Sequence, residues 1–356
     1  MASFKVALWV IVVAQILLDP STCQHLLPIT NPRLLGAYMA LQAWKLSIIS
    51  DPYGFTSNWV GPDVCNYTGI YCAPAPDDPQ VTTVAGIDLN HAGIHGCLPK
   101  EMGLLKDLAL LHLNSNRFYG IVPECFDSLT LLYELDLSNN LLTGPFPCVV
   151  LRLPSLKYLD LRFNMFYGEI PPQVFDLQLD ALFINDNSFM SELPDNLGNS
   201  PVSVLVVTNN MITGCIPRSV ANMGSTLDEL ILSNLQLSGC LLQEFGYLKG
   251  LRVLDLSSNK LEGPLPESIG MLANLEQLNV GSNKLSGQVP QSICKIPNLV
   301  NFSYSYNFFI GEPKVCRRDI IDDRGNCLPE KPLQRSPEEC RNFYSMPINC
   351  EAICCS

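Results

Sequence analysis

The stretch from Leu132 to Pro147, LYELDLSNNLLTGPFP, decides the fold, because Leu251 to Pro266, LRVLDLSSNKLEGPLP, repeats its plan. Both read Leu-x-x-Leu-x-Leu-x-x-Asn and then Gly-x-x-Pro, with Asn140 or Asn259 at the ninth place. Aligning outward on Gly96, Gly120, Gly144, Gly168, Ser191, Gly214, Gly239, Gly263, Gly287 and Gly311 gives steps of 24, 24, 24, 23, 23, 25, 24, 24 and 24, which makes ten units of one period. The apolar positions alternate along a short strand, so their side chains point together into a core while the residues between them face out. No unit hides its apolar side alone, so neighbours must stack, and the two ends must be capped.

This pattern predicts an α/β leucine-rich-repeat solenoid of the plant-specific type, with a parallel sheet on its concave face, over residues 84–311. Asn116, Asn140, Asn164, Asn187, Asn210, Asn259, Asn283 and Asn307 should form a ladder that pairs buried backbone groups, broken at Ala92 and Leu235. The Gly and Pro that follow redirect the chain to the convex side, and Leu242 replaces that Pro in the seventh unit.

Residues 24–83 read as an N-terminal cap. Asn31-Pro32 is a helix start, Leu34, Tyr38, Leu41, Lys45 and Ile48 run at helical spacing, and Asp51-Pro52 is the expected stop. Residues 312–356 carry six cysteines and few aliphatics, so covalent links must replace a core there. At the other end, Lys5 precedes an apolar run from Val6 to Leu18 and then Ser21, Thr22 and Cys23. That is a signal peptide of residues 1–23, too short to span a bilayer, and no later run reaches the roughly 18 apolar residues a span needs.

The sequence has 15 cysteines, and export puts the 14 beyond the signal peptide in an oxidising compartment, where they read as disulfides and not as a metal site. Cys65 and Cys72 should close the first cap. Repeat position pairs Cys215 with Cys240, Cys125 with Cys148 and Cys294 with Cys316, since adjacent rungs lie about 4.8 Å apart. Cys97, Cys327, Cys340, Cys350, Cys354 and Cys355 have no assignable partner, and one of them could bridge two chains. Asn66 and Asn301 stand in glycosylation sequons.

A formal charge of −12 repels phosphate backbones and anionic membrane surfaces, which excludes nucleic acid as a partner and favours basic peptides or proteins. The concave strand residues localise that charge. One column reads Asp88, His112, Asp136, Asp160, Phe183, Val206, Ile231 and Asp255. A neighbouring column adds Glu134, Tyr158 and Glu229, with Asp186 one step further along. The reading makes Phe183, Val206 and Ile231 a desolvated anchor, and Asp136, Asp160, Glu134 and Asp255 the groups that orient a basic peptide. The alternatives are a dimer contact for the apolar trio and plain solvated carboxylates. Asn301 lies in the same register, so a glycan there would shield that end.

Enzymatic chemistry is poorly supported. His91 and His95 straddle a turn and His112 lies a unit away, so convergent metal ligands are not expected, and no cofactor is implied. Aspartates in one column follow from duplication of the unit, and no phosphate loop, Gly-x-Ser-x-Gly elbow or catalytic-cysteine signature occurs.

Several segments resemble the leucine-rich repeat extensins of plant cell walls, pollen members included. They are Asn58 to Asp78 (NWVGPDVCNYTGIYCAPAPDD), Val84 to Pro99 (VAGIDLNHAGIHGCLP), Leu159 to Pro172 (LDLRFNMFYGEIPP), Glu192 to Val206 (ELPDNLGNSPVSVLV), Phe302 to Cys316 (FSYSYNFFIGEPKVC) and Arg335 to Cys340 (RSPEEC). The resemblance implies a secreted, often dimeric wall module that binds small basic cysteine-containing peptides, the rapid alkalinization factors, in wall integrity and growth control. It leaves cell-wall polysaccharide and a receptor kinase ectodomain as further partners. Such proteins usually continue into a Ser-Pro-rich tail, whereas this sequence stops at Ser356, so the expectation is a tail-less relative that is soluble or held in the wall by its partners. A polygalacturonase-inhibitor-like defence protein and a structural wall protein without a ligand are the alternatives.

Overall fold

The computed structural model describes residues 29–316, 318–346, 348 and 350. The signal-peptide reading, Cys23, Cys354 and Cys355 lie outside them.

The repeats build one sheet of twelve strands among the described residues. Its first strand, Ile70–Pro74, runs antiparallel to Thr82–Asp88, and each later rung adds in parallel in strict register. Leu135, Leu159, Leu182, Leu205, Leu230 and Leu254 sit on facing register positions and are buried, so a continuous apolar spine runs through the stack. The convex return arms are short 3-10 helices, such as Glu124–Ser128 and Glu267–Met271, and strands that pair into two lateral sheets.

The asparagine ladder is as the pattern demands. Asn140 accepts from the Phe118 N–H at 2.9 Å and donates to the Leu113, Leu137 and Ser138 carbonyls, all in the buried interior. It extends one rung further than expected. Asn326 accepts from the Phe309 N–H and donates to the Tyr304 carbonyl, and strand Ile321–Asp322 pairs with Asn301–Ser303 to close the sheet. Just before each ladder position the chain turns through a left-handed residue, with φ between 49° and 58° from His91 to Tyr306. Short polar side chains dominate there because they tolerate that backbone; His91, Phe163 and Tyr306 are the larger exceptions.

The caps differ in detail from the sequence reading. Helix α1, Pro32–Ser47, starts as expected, with the Asn31 side chain accepting from the Arg33 and Leu34 N–H groups. It ends at Ser47, before Asp51-Pro52, because Ile48–Ser50 leaves it as a strand paired with His95–Cys97. Its buried face is Ala37, Ala40, Leu41 and Trp44, so of the expected stripe only Leu41 is fully inside and the others flank it. The small alanines let the helix approach the first rungs closely, and Trp44 packs edge-on against Trp59 at 5.9 Å. At the carboxyl end, helix α2, Pro337–Tyr344, carries a capping box of Ser336 and Glu339. It lies against a lateral sheet, where Phe343 stacks on Phe308 at 3.7 Å and the Tyr344 hydroxyl donates to the Phe308 carbonyl.

Disulfides form between Cys65 and Cys72 and between Cys294 and Cys316, as expected, and between Cys327 and Cys340. Two expected pairs are overturned. Cys240 bonds to Cys350 at the far end of the chain, so it does not pair with Cys215, which is itself disulfide-bonded. Cys125 and Cys148 are free thiols, as is Cys97. The reason is phase. Cys148 opens its 3-10 helix whereas Cys125 is second in its own, and one residue turns a three-per-turn helix by about 120°. The Cys240–Cys350 link passes over Gly263, whose φ is +80° and where an added Cβ would lie 2.5 Å from one sulfur and 2.8 Å from the other.

Candidate binding face on the concave sheet

The typical three-residue strand of the large sheet presents two side chains to the concave side and buries the one between them, a pattern seen at Glu134–Asp136, Ala181–Phe183 and Glu229–Ile231. Asp88, His112, Asp136, Asp160, Phe183, Val206, Ile231 and Asp255 fall in one unbroken register column. Glu134, Tyr158 and Glu229 fall in the column beside it, with Ala181 and Val204 between the last two. Phe183, Val206 and Ile231 are half-buried on three successive strands, side by side and outward. Asp186 is separate from the columns: it occupies the left-handed turn position and accepts from the Asn209 and Asn185 side-chain amides.

The acidic members of the central column share a structural task. In Asp88, Asp136, Asp160 and Asp255 the carboxylate accepts from the N–H two residues on, in Asn90, Ser138, Arg162 and Ser257. Each thereby closes the turn that ends its strand. One oxygen does that work, which leaves the second for other partners. In Asp255 the second accepts from the Asn279 amide at 3.3 Å, and beside this column the Glu134 carboxylate meets His112 Nε2 at 2.9 Å.

Asp160 departs from the others. It is fully buried, and burial beside Asp136 pushes its carboxyl up to about 7 against the pull of Arg162. The Tyr158 hydroxyl donates to it at 3.3 Å, and the same burial raises that phenol well above its usual range. Arg162 was not anticipated from the sequence. Its Nε donates to Asp160 at 2.9 Å and its guanidinium lies 4.8 Å from the centre of the Phe183 ring, which also contacts Tyr158 at 5.6 Å. The available signal was positional, since Arg162 stands where other units carry small polar residues such as Ser138 and Ser257.

Among the described residues no group of three metal-binding side chains occurs, and no helix is long and apolar enough to cross a membrane. Asn66 and Asn301 are both exposed, the latter at the start of the strand Asn301–Ser303.

Comparison with known proteins matches this architecture. Residues 106–166 match the Leucine rich repeat family, residues 38–73 the Leucine rich repeat N-terminal domain, and residues 250–272 and 274–296 single leucine-rich repeats. Leucine-rich repeat extensin-like protein 6 of Arabidopsis thaliana is 68% identical over 331 residues, which cover 92% of this chain and 70% of that relative. The chain belongs to the leucine-rich repeat extensin-like family. It is also 59% identical to extensin-like protein 3 of the same plant, over 96% of this chain and 44% of that longer relative. Among solved structures, the ectodomain of the Arabidopsis receptor kinase HAESA, in complex with the peptide hormone IDA and the co-receptor SERK1, superposes with a TM-score of 0.66. It is 26% identical, over 82% of this chain and 54% of that one.

Proposed function

We propose that this extensin-like chain acts outside the cell, in the plant cell wall, as a binding module for a basic, cysteine-containing secreted peptide laid along the concave face. The observation that carries the reading is the row Phe183, Val206 and Ile231, three apolar side chains on adjacent strands with Asp136 and Asp160 on one flank and Asp255 on the other. Half-exposed apolar residues in three consecutive rungs shed water when an apolar ligand residue covers them, and the flanking carboxylates favour a cation on either side. Nine disulfide-bonded cysteines among the described residues suit an extracellular setting, and the HAESA ectodomain binds its peptide on a fold of the same kind.

The test is binding of a panel of basic cysteine-containing peptides to the full chain, with acidic peptides of equal length as controls. Phe183→Ala and Ile231→Ala should each weaken the best binder at least about tenfold, a typical effect for a central apolar anchor. No saturable binding by any basic peptide, or equal binding by both variants and the original, would remove the reading.

A further inference from the structure

Arg162 makes the contacts a protein uses to recognise a free guanidinium. Its Nε donates to Asp160, whose side chain is 0% exposed, while Arg162 itself keeps 35% of its side chain in solvent. Its guanidinium lies over the Phe183 ring. A charge-assisted hydrogen bond with an aromatic face suits a flat cation far better than an ammonium. The neighbours of Asp160 are Asp136 from the strand before, Phe183 from the strand after, and Tyr158 and Arg162 from its own. Arg162 is therefore the cation paired with Asp160, while Asp136 adds a second negative charge nearby.

That cation is out of keeping with its position. Equivalent places carry short side chains in Ser138, Asn185, Thr208 and Ser257. Arg324, paired with Asp322 at the end of the sheet, is the similar case, but Asp322 remains 32% exposed. Of these two sites, only at Asp160 would withdrawal of the arginine leave a fully buried carboxyl group, which must then take up a proton or meet another cation.

We propose that Arg162 is a resident stand-in for an arginine of the ligand: on binding it swings into solvent, and the incoming guanidinium takes its place on Asp160 and over Phe183. The proposal rests on the reading that the concave face receives a basic peptide, and it narrows that peptide to one with an arginine beside an apolar residue. The exchange trades one ion pair for an equal one, so Asp160 is never left unpaired. Val206 and Ile231, on the next two strands, then receive the neighbouring apolar residue.

The experiment uses Arg162→Ala in the full chain at pH 8 and titrates N-acetyl-arginine amide against N-acetyl-lysine amide, by calorimetry and by the shift in melting temperature. Saturable binding of the arginine amide, at least about tenfold tighter than the lysine amide, is expected in Arg162→Ala, and none in Arg162→Ala with Asp160→Asn. If Arg162→Ala does not melt cooperatively, Arg162→Lys takes its place with the same expected preference, because its ammonium does not stack. A folded variant that binds neither amide, or both equally, overturns the proposal. Since no peptide is used, arginine binding without any peptide binding by the original chain would sink the peptide reading and leave the guanidinium pocket standing.

Discussion

Asp136 and Asp160 face each other across adjacent parallel strands, yet only Asp160 is wholly shut off from water. The difference comes from what surrounds it, with Tyr158 and Arg162 closing over that carboxylate. Two identical side chains in one column thus have different electrostatic consequences.

The first consequence is a pH dependence of stability. Desolvation raises the Asp160 carboxyl from 3.8 to about 7 in the folded chain, so between those values the folded state binds the extra proton. Its stability then falls as pH rises from about 4 to about 7, by at most about 4 kcal/mol from this one group. Asp160→Asn should flatten that slope and match or exceed the original at pH 7. Thermal melts at pH 4.5, 6 and 7.5 check this, and an unchanged slope in the variant would refute it.

Asp136 is half-exposed and acts at longer range. Replacing both Asp136 and Asp255 by Asn keeps the acceptor that closes each turn while removing two charges near the apolar row. Association of a basic peptide should slow and lose part of its salt dependence, with a smaller change in dissociation. Rapid-mixing kinetics at two ionic strengths would show it.

Asn140 tests the ladder. Asn140→Ala leaves the Phe118 N–H and the Leu113 carbonyl without this partner in the buried interior, at a cost of about 2–4 kcal/mol. Asn139, exposed in the adjacent turn, should tolerate Gly with little loss. Urea unfolding of the two variants makes the comparison.

The cysteines divide into two groups. Cys294→Ser should cost about 3 kcal/mol by opening a link across 22 residues, whereas Cys125→Ser and Cys148→Ser should each stay within about 0.5 kcal/mol. Alkylation of the unreduced protein followed by mass mapping should label Cys148, which is exposed, ahead of Cys125.

Period and polarity alone made the sheet, its concave columns and the asparagine ladder legible, because a side chain that recurs once per rung must stack on its own copies. Phe183, Val206 and Ile231 could be placed together for that reason. What repetition cannot encode was missed. Cys350 reaches Cys240 across 110 residues through the irregular tail, and no spacing rule measures such a return. Arg162 escaped notice because its role depends on the depth of Asp160, which the letters of the column do not distinguish from Asp136. The closing rung at Ile321–Asp322 was hidden because its ladder position, Asn326, follows Asn307 at a shortened interval and without the leucines.

The Cys240–Cys350 bond also sets how the molecule bears load. A pull applied at Cys350 is delivered through sulfur to Cys240, in the strand Ser238–Cys240, whose lateral sheet continues through three more strands toward the carboxyl end. The force thus enters the middle of the stack and bypasses the terminal rungs, which would otherwise peel away one after another. Anything tethered there would tug on a closed buckle, while the concave face keeps its shape.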